Sequence, residues 1–146
     1  MREFVALETD ASFPSVRLVV GAAMRILGIW KVTGDRAALL ELALAEAATN
    51  VVRHAYRDRT PGKLVVRLAR DGDELTLAVI DEGNVFDPSS VPPPPAPDLD
   101  DPSTWPEGGL GLPIMRAACD DLSYATVNGV NTLTMTLRAE ELRDLG

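Results

Sequence analysis

Two apolar strand patterns joined by a tight turn constrain the fold more than any other feature of the chain. Apolar residues occupy alternate positions on both sides of the turn at 70–73, namely Leu64, Val66 and Leu68 before it and Leu75, Leu77 and Val79 after it. Side chains alternate between the two faces of a strand. The pattern therefore predicts a β-hairpin, with Asp71-Gly72 in its turn.

The remaining patterns place this hairpin between helices and further strands. In chain order they predict an edge strand at 3–8, a helix to about Trp30, a helix from about Arg36 to Tyr56, the hairpin, an irregular segment at 84–107, a helix from about Gly109 to Cys119, strands at about 122–128 and 132–138, and a short helix at 139–145. Runs of strands and helices indicate an α/β (α+β) two-layer sandwich, with a mixed, mostly antiparallel sheet and helices on one face. The length suits one domain spanning 1–146.

Glu46 and Asn50 lie four residues apart in the second predicted helix, within the stretch EAATNVVRHAY. This spacing places both side chains on one face of the helix. Mg²⁺ takes oxygen ligands and keeps several waters, so the Asn50 carbonyl could supply one ligand beside a triphosphate. A carboxylate one turn earlier could accept a proton from an attacking hydroxyl. The simpler interpretation of each residue is a solvated side chain on a helix surface.

Asp81 ends the second strand of the hairpin, and Gly83 follows it. A carboxylate there can accept a hydrogen bond from the exocyclic amine of adenine, with Gly83 leaving room for the base. The alternative for Asp81 is a turn residue that closes the strand. The run Gly108-Gly109-Leu110-Gly111 then opens a helix after a segment that holds eight of the eleven prolines. Free N–H groups at such a start attract anions, although a glycine run alone is often a flexible loop.

The order and spacing of these motifs resemble the ATPase superfamily of gyrase, Hsp90, histidine kinases and mismatch-repair proteins. Within it, the chain is most similar to the anti-sigma-factor serine/threonine kinases of bacteria, from about Phe4 to Leu137. The resemblance implies a Bergerat-type ATP-binding fold with ATP and Mg²⁺ as cofactors. It implies roles for the quoted residues: Glu46 as catalytic base, Asn50 as Mg²⁺ ligand, Asp81 and Gly83 as the adenine site, 84–107 as an ATP lid, and Gly108, Gly109, Leu110 and Gly111 as hinge and phosphate clamp.

Further positions match the family individually. Related kinases often carry Lys or Arg at the position of Arg53, where it can meet phosphate; an exposed helix arginine is the equal alternative. Thr132 resembles the family's late threonine near the adenine. For His54, packing or capping is favoured over chemistry. Val85 departs from the pattern, since a second glycine is common there, and residues 71–115 contain no Lys or Arg to offset a triphosphate.

The resemblance implies a cytoplasmic protein kinase that phosphorylates a Ser or Thr of a small antagonist (anti-anti-sigma) protein. It also allows a sigma factor as a second partner, and a homodimer. The alternative is a nucleotide-gated regulator that holds a partner and transfers no phosphate, which Val85 and the acidic lid favour. The ATPase half of a topoisomerase or chaperone is disfavoured, because no transducer domain follows.

The composition of the chain argues against nucleic acid and membrane as binding partners. A formal net charge of −8 argues against direct nucleic-acid binding, which normally needs a basic surface. No apolar run approaches the length of a membrane span, and the start of the chain lacks the apolar core of a signal peptide. Cys119 is the only cysteine, so no disulfide forms within the chain and a cytosolic setting fits.

Overall fold

The computed structural model describes residues 2–56, 62–90, 100–104 and 111–145, in which three α-helices cover one face of a five-stranded sheet. The strands are β1 (Arg2–Asp10), β2 (Lys63–Asp71), β3 (Glu74–Asp81), β4 (Asp121–Val127) and β5 (Val130–Arg138). The helices are α1 (Phe13–Ile29), α2 (Gly34–Asn50) and α3 (Gly111–Ala118). Short 3₁₀ turns occur at Pro88–Ser90, Pro102–Thr104 and Glu140–Leu145.

The strands follow the order β1-β2-β3-β5-β4, and each neighbouring pair is antiparallel. The predicted hairpin is β2–β3, and β4–β5 is a second hairpin whose turn holds Asn128 and Gly129 at positive φ. The predicted fold class is confirmed. The mixed pairing allowed by the sequence pattern does not occur among the described strands, because the two hairpins join through β3 and β5 in antiparallel sense.

The helix-facing side of the sheet forms the core. Alternate residues of the central strands are buried there: Leu64, Val66, Leu68, Leu75, Leu77, Val79, Leu133, Met135 and Leu137. Leu27 of α1, Leu40 and Leu44 of α2, and Met115 of α3 pack over them and are also fully buried. The opposite face carries the intervening side chains, among which Arg67, Thr76, Thr132 and Thr134 line a shallow groove.

A π-helical turn ends the long predicted helix. The α-helical pattern stops at Asn50, and Val51–Ala55 form a π-helix in which Tyr56 N–H donates to the Val51 carbonyl at 3.3 Å. Such turns are rare and often occur at functional sites. Here the turn joins the helix that carries Asn50 to the region beside the end of β3.

Candidate functional site

A small cavity lies between the end of α2 and the adjoining ends of β3, β4 and β5. Its lining is mainly apolar with three convergent polar side chains: Ala47, Asn50, Val51, Ala55, Val79, Asp81, Phe86, Pro88, Tyr124 and Leu133. This combination is typical of a ligand site. The cavity has a volume of about 20 Å³, room for about one water molecule. The cavity is therefore much smaller than the pockets of about 300–1,000 Å³ that hold small-molecule ligands.

Asp81 lines this cavity, and among the described residues only one of its two carboxylate oxygens is hydrogen bonded. Its Oδ1 accepts hydrogen bonds from the Gly83 N–H at 2.9 Å and from Asn131 Nδ2 at 2.8 Å. No other residue in the described ranges hydrogen bonds to the second carboxylate oxygen, Oδ2. Burial raises the pKa of Asp81, and the bonds from Asn131 and Gly83 partly oppose that rise.

Asn131, which the sequence analysis missed, is the principal partner of Asp81. It is almost fully buried, and its Nδ2 donates both to Asp81 and, at 3.0 Å, to the carbonyl oxygen of Gly83. Its Oδ1 accepts from the Thr126 hydroxyl at 2.7 Å. Asn131 pairs directly with Asp81 across β3 and β5, so the two side chains share one face of the sheet. The sequence could have indicated Asn131 only through this pairing, which requires knowing that the two predicted strands are neighbours in the sheet.

The prediction for Thr132 is corrected by the same register. Thr132 pairs with Ile80, one position from the Asp81–Asn131 pair, and lines the groove on the opposite face of the sheet. A shift of one residue along a strand moves a side chain to the other face. The structure therefore does not bring Thr132 to Asp81.

Gly83 is required by packing against the π-helical turn. A Cβ at this position would clash with the carbonyl oxygen of Ala55, which accepts a hydrogen bond from the Asn84 N–H at 2.7 Å. Gly83 therefore allows a close backbone contact here, and its place beside a base stays a prediction. Tyr56 fixes the same loop, because its hydroxyl donates to the Lys63 carbonyl and accepts from the Glu82 N–H, both at 2.8 Å.

Glu46 and Asn50 lie on the part of α2 that approaches the cavity. Asn50 lines it, and Glu46 is half-buried one turn earlier. Gly111, at the start of α3, lies against Glu46, since a Cβ there would be 3.0 Å from Glu46 Oε2. The structure thus brings these three predicted site residues together. Gly108, Gly109 and Leu110 lie outside the described residues.

Arg53 does not line the cavity. It is exposed on the π-helical turn, and its guanidinium carbon lies 5.9 Å from the ring centroid of Phe13 in α1. The exposed position matches the equal alternative for Arg53, and its contact with phosphate stays a prediction. His54, next in the chain, stacks on Phe86, with ring centroids 4.0 Å apart and ring planes inclined by 13°. Packing was the favoured interpretation of His54.

Phe86 and Tyr124 close one side of the cavity. The Phe86 N–H donates to the Tyr124 hydroxyl at 3.0 Å, which ties the start of the predicted lid to β4. Burial, with smaller contributions from Asp81 and Asp87, raises the pKa of Tyr124, so the hydroxyl stays protonated at neutral pH.

In the part of the chain that is described, none of the helices is long and apolar enough to cross a membrane.

Comparisons with known proteins assign this architecture. The model of the histidine kinase-like ATPase domain matches residues 9–137. The serine-protein kinase RsbW of Bacillus velezensis is 35% identical over 126 residues, covering 83% of this chain and 74% of that protein. RsbW of Bacillus subtilis is 33% identical with the same coverage. The serine/threonine-protein kinase BtrW of Bordetella bronchiseptica is 37% identical over 98 residues, covering 66% of this chain and 67% of that protein.

A solved structure agrees with these matches. The crystal structure of the RsbU and RsbW domains of Rv1364c from Mycobacterium tuberculosis superimposes with a TM-score of 0.61 at 23% identity, covering 93% of this chain and 32% of that chain. At that identity the likeness shows the fold alone. The sequence relatives go further and confirm both the predicted resemblance and the protein kinase class. The chain belongs to the histidine kinase-like ATPase domain family and, within it, to the group of the RsbW serine-protein kinases.

Proposed function

We propose that the protein is an ATP- and Mg²⁺-dependent serine/threonine kinase that acts as an anti-sigma regulatory factor and phosphorylates a small antagonist (anti-anti-sigma) protein. One observation carries the nucleotide part of the proposal. The cavity at the end of α2 is lined by the carboxylate residue Asp81 and the amide residue Asn50 among apolar walls. The protein substrate part rests on the serine-protein kinase names of the relatives.

Adenine fits the chemistry of Asp81. The exocyclic amine of adenine can donate to Oδ2, whereas guanine has a carbonyl oxygen at the same ring position, and two acceptors repel each other. Apolar side chains of Ala47, Val79 and Leu133 line the cavity around the carboxylate and suit the faces of a base. ATP is therefore the nucleotide that this site should select.

Asn50 and Glu46 suit the phosphate end. No group of three or more His, Cys, Asp or Glu side chains suited to a metal occurs in the described ranges, so the protein's share of the Mg²⁺ ligands would be small, with the Asn50 carbonyl as the protein oxygen. When bound, Mg²⁺ would neutralise charge on the transferring phosphoryl group. Glu46, one turn before Asn50 on α2, would accept the proton of an incoming serine or threonine hydroxyl. Gly111 beside Glu46, with the predicted clamp residues Gly108, Gly109 and Leu110 before it, would adjoin the phosphates.

Phosphate transfer to a purified antagonist protein tests the proposal. Glu46→Gln keeps the size of the side chain and removes its proton acceptance, so transfer should fall by roughly 10²- to 10⁴-fold. ATP affinity should change little, since Asn50 and Asp81 remain. Glu41→Gln is the matched control, because Glu41 is an exposed glutamate on the same helix.

Two outcomes test separate parts of the proposal. A Glu46→Gln variant that transfers phosphate at the wild-type rate would reject Glu46 as the base. A wild-type protein that binds ATP and the antagonist but transfers no phosphate would instead support the nucleotide-gated regulator. Val85 and the absence of Lys or Arg from residues 71–115 are the sequence features that favour that second function.

A further inference from the structure

Both polar atoms of the Asn131 side chain have hydrogen-bond partners inside the protein. Only 1% of the residue is exposed. Its nitrogen donates to Asp81 Oδ1 at 2.8 Å and to the Gly83 carbonyl at 3.0 Å, and its oxygen accepts from the Thr126 hydroxyl at 2.7 Å. A buried polar side chain with every group partnered rigidifies its surroundings.

Only one orientation of this amide satisfies its neighbours. A flipped amide would direct its carbonyl oxygen at Asp81 Oδ1 and at the Gly83 carbonyl, both of which are acceptors. The Thr126 hydroxyl supports the observed orientation by donating to the amide oxygen. The nitrogen of Asn131 is therefore held toward Asp81.

The fixed amide of Asn131 in turn restrains the carboxylate of Asp81. Oδ1 of Asp81 accepts from both the Asn131 amide and the Gly83 N–H, which fixes the rotation of the carboxylate about its last bond. Oδ2 is then the oxygen left for a ligand in the cavity. Without the Asn131 donor, the carboxylate has one anchor instead of two, and the Gly83 carbonyl loses its side-chain partner.

We propose that Asn131 is a positioning residue that determines purine selectivity, by holding Asp81 so that a single acceptor oxygen meets the base. The proposal rests on the proposed binding of ATP in this cavity. Asn131 acts through Asp81, and the cavity lining does not include it. The neighbouring Thr132, to which the family resemblance pointed, has no part in this network because it lies on the other face of the sheet.

The test is the ratio of ATP to GTP affinity, measured by calorimetry on folded full-length variants. Asn131→Ala should lower the ratio by about tenfold or more, the equivalent of one charge-assisted hydrogen bond. Asn131→Thr can retain one donor toward Asp81 and should restore part of the ratio. Thr132→Val is the matched control on the same strand and should leave the ratio unchanged.

The outcomes separate this proposal from the assignment on which it rests. A wild-type protein that shows no preference for ATP would refute the proposed adenine site itself. A preference that is present in the wild type and unchanged in folded Asn131→Ala would overturn the role of Asn131 alone. If Asn131→Ala does not fold, Asn131→Thr decides, since it replaces the two N–H donors of the amide by one hydroxyl. A lowered ratio in that variant supports the proposal, and an unchanged ratio overturns it.

Discussion

Replacing Asp81 by asparagine should separate stability from nucleotide choice. The substitution keeps the shape of the side chain and removes its charge. Burial raises the pKa of Asp81 above its usual value of 3.8, and the hydrogen bonds from Asn131 and Gly83 only partly offset that rise. The folded protein therefore binds the carboxyl proton more tightly than the unfolded chain does. Asp81 thus contributes stability below pH 3.8 that is lost as the pH rises through the raised pKa.

The Asp81→Asn variant does not lose stability in this way as the pH rises, because its amide does not ionise. Its Oδ1 can still accept from Gly83 and Asn131, so the loop after β3 keeps its anchors. At neutral pH the Asp81→Asn variant should be at least as stable as the wild type, whereas below pH 3.8 the difference should shrink. Urea unfolding at several pH values measures this, with Asp121→Asn as the control for an exposed carboxylate.

Nucleotide affinity should change in the opposite direction. The two donors that face Oδ1 hold the carbonyl oxygen of the new amide in that position, so its NH₂ group takes the place of Oδ2. That group meets the amine of adenine as a second donor and meets the oxo group of guanine as a partner. ATP binding should weaken by roughly 1–3 kcal/mol, about 5- to 150-fold in Kd, and the preference should move toward GTP. An Asp81→Asn variant that keeps the ATP preference, or that unfolds much more easily at pH 7, would refute this reasoning.

Three further substitutions test other parts of the site. Asn50→Ala should abolish the dependence of ATP binding on Mg²⁺ while preserving the fold, as calorimetry with Mg²⁺ or a chelator and circular dichroism would show. Gly83→Ala should cost roughly 1–3 kcal/mol in urea unfolding, because its Cβ meets a backbone oxygen, whereas Gly21→Ala meets nothing within 4 Å and should stabilise the protein. Tyr124→Phe removes the hydroxyl that holds the Phe86 N–H, so hydrogen exchange of that amide should accelerate; equal exchange would exclude this contact as an anchor.

Most of the architecture could be predicted because it depends on local patterns. The alternation in β2 and β3 and the glycine of the turn between them specify a hairpin without knowledge of the rest of the chain. Glu46 and Asn50 share a helix face for an equally local reason, since they precede the π-helical turn. The order of elements then followed, and with it the fold class.

The missed residues depend on contacts between distant segments. Choosing between Asn131 and Thr132 requires the register of β5 on β3, which brings together residues fifty positions apart in the chain. Local sequence does not set that register, and an error of one position reverses the face of every side chain.

The π-helical turn also links the proposed phosphate end of the site, at Asn50, to the proposed base end, at Asp81. It begins directly after Asn50 and ends at Ala55, whose carbonyl accepts from Asn84 and whose oxygen excludes a side chain at Gly83. Tyr56 then joins the turn to the Glu82 N–H through its hydroxyl. The π-helical turn and the hydrogen bond from the Asn84 N–H to the Ala55 carbonyl therefore connect the proposed metal ligand to the loop that follows Asp81. A change in the turn should disturb the base and phosphate ends together, although neither Tyr56 nor Gly83 lines the cavity.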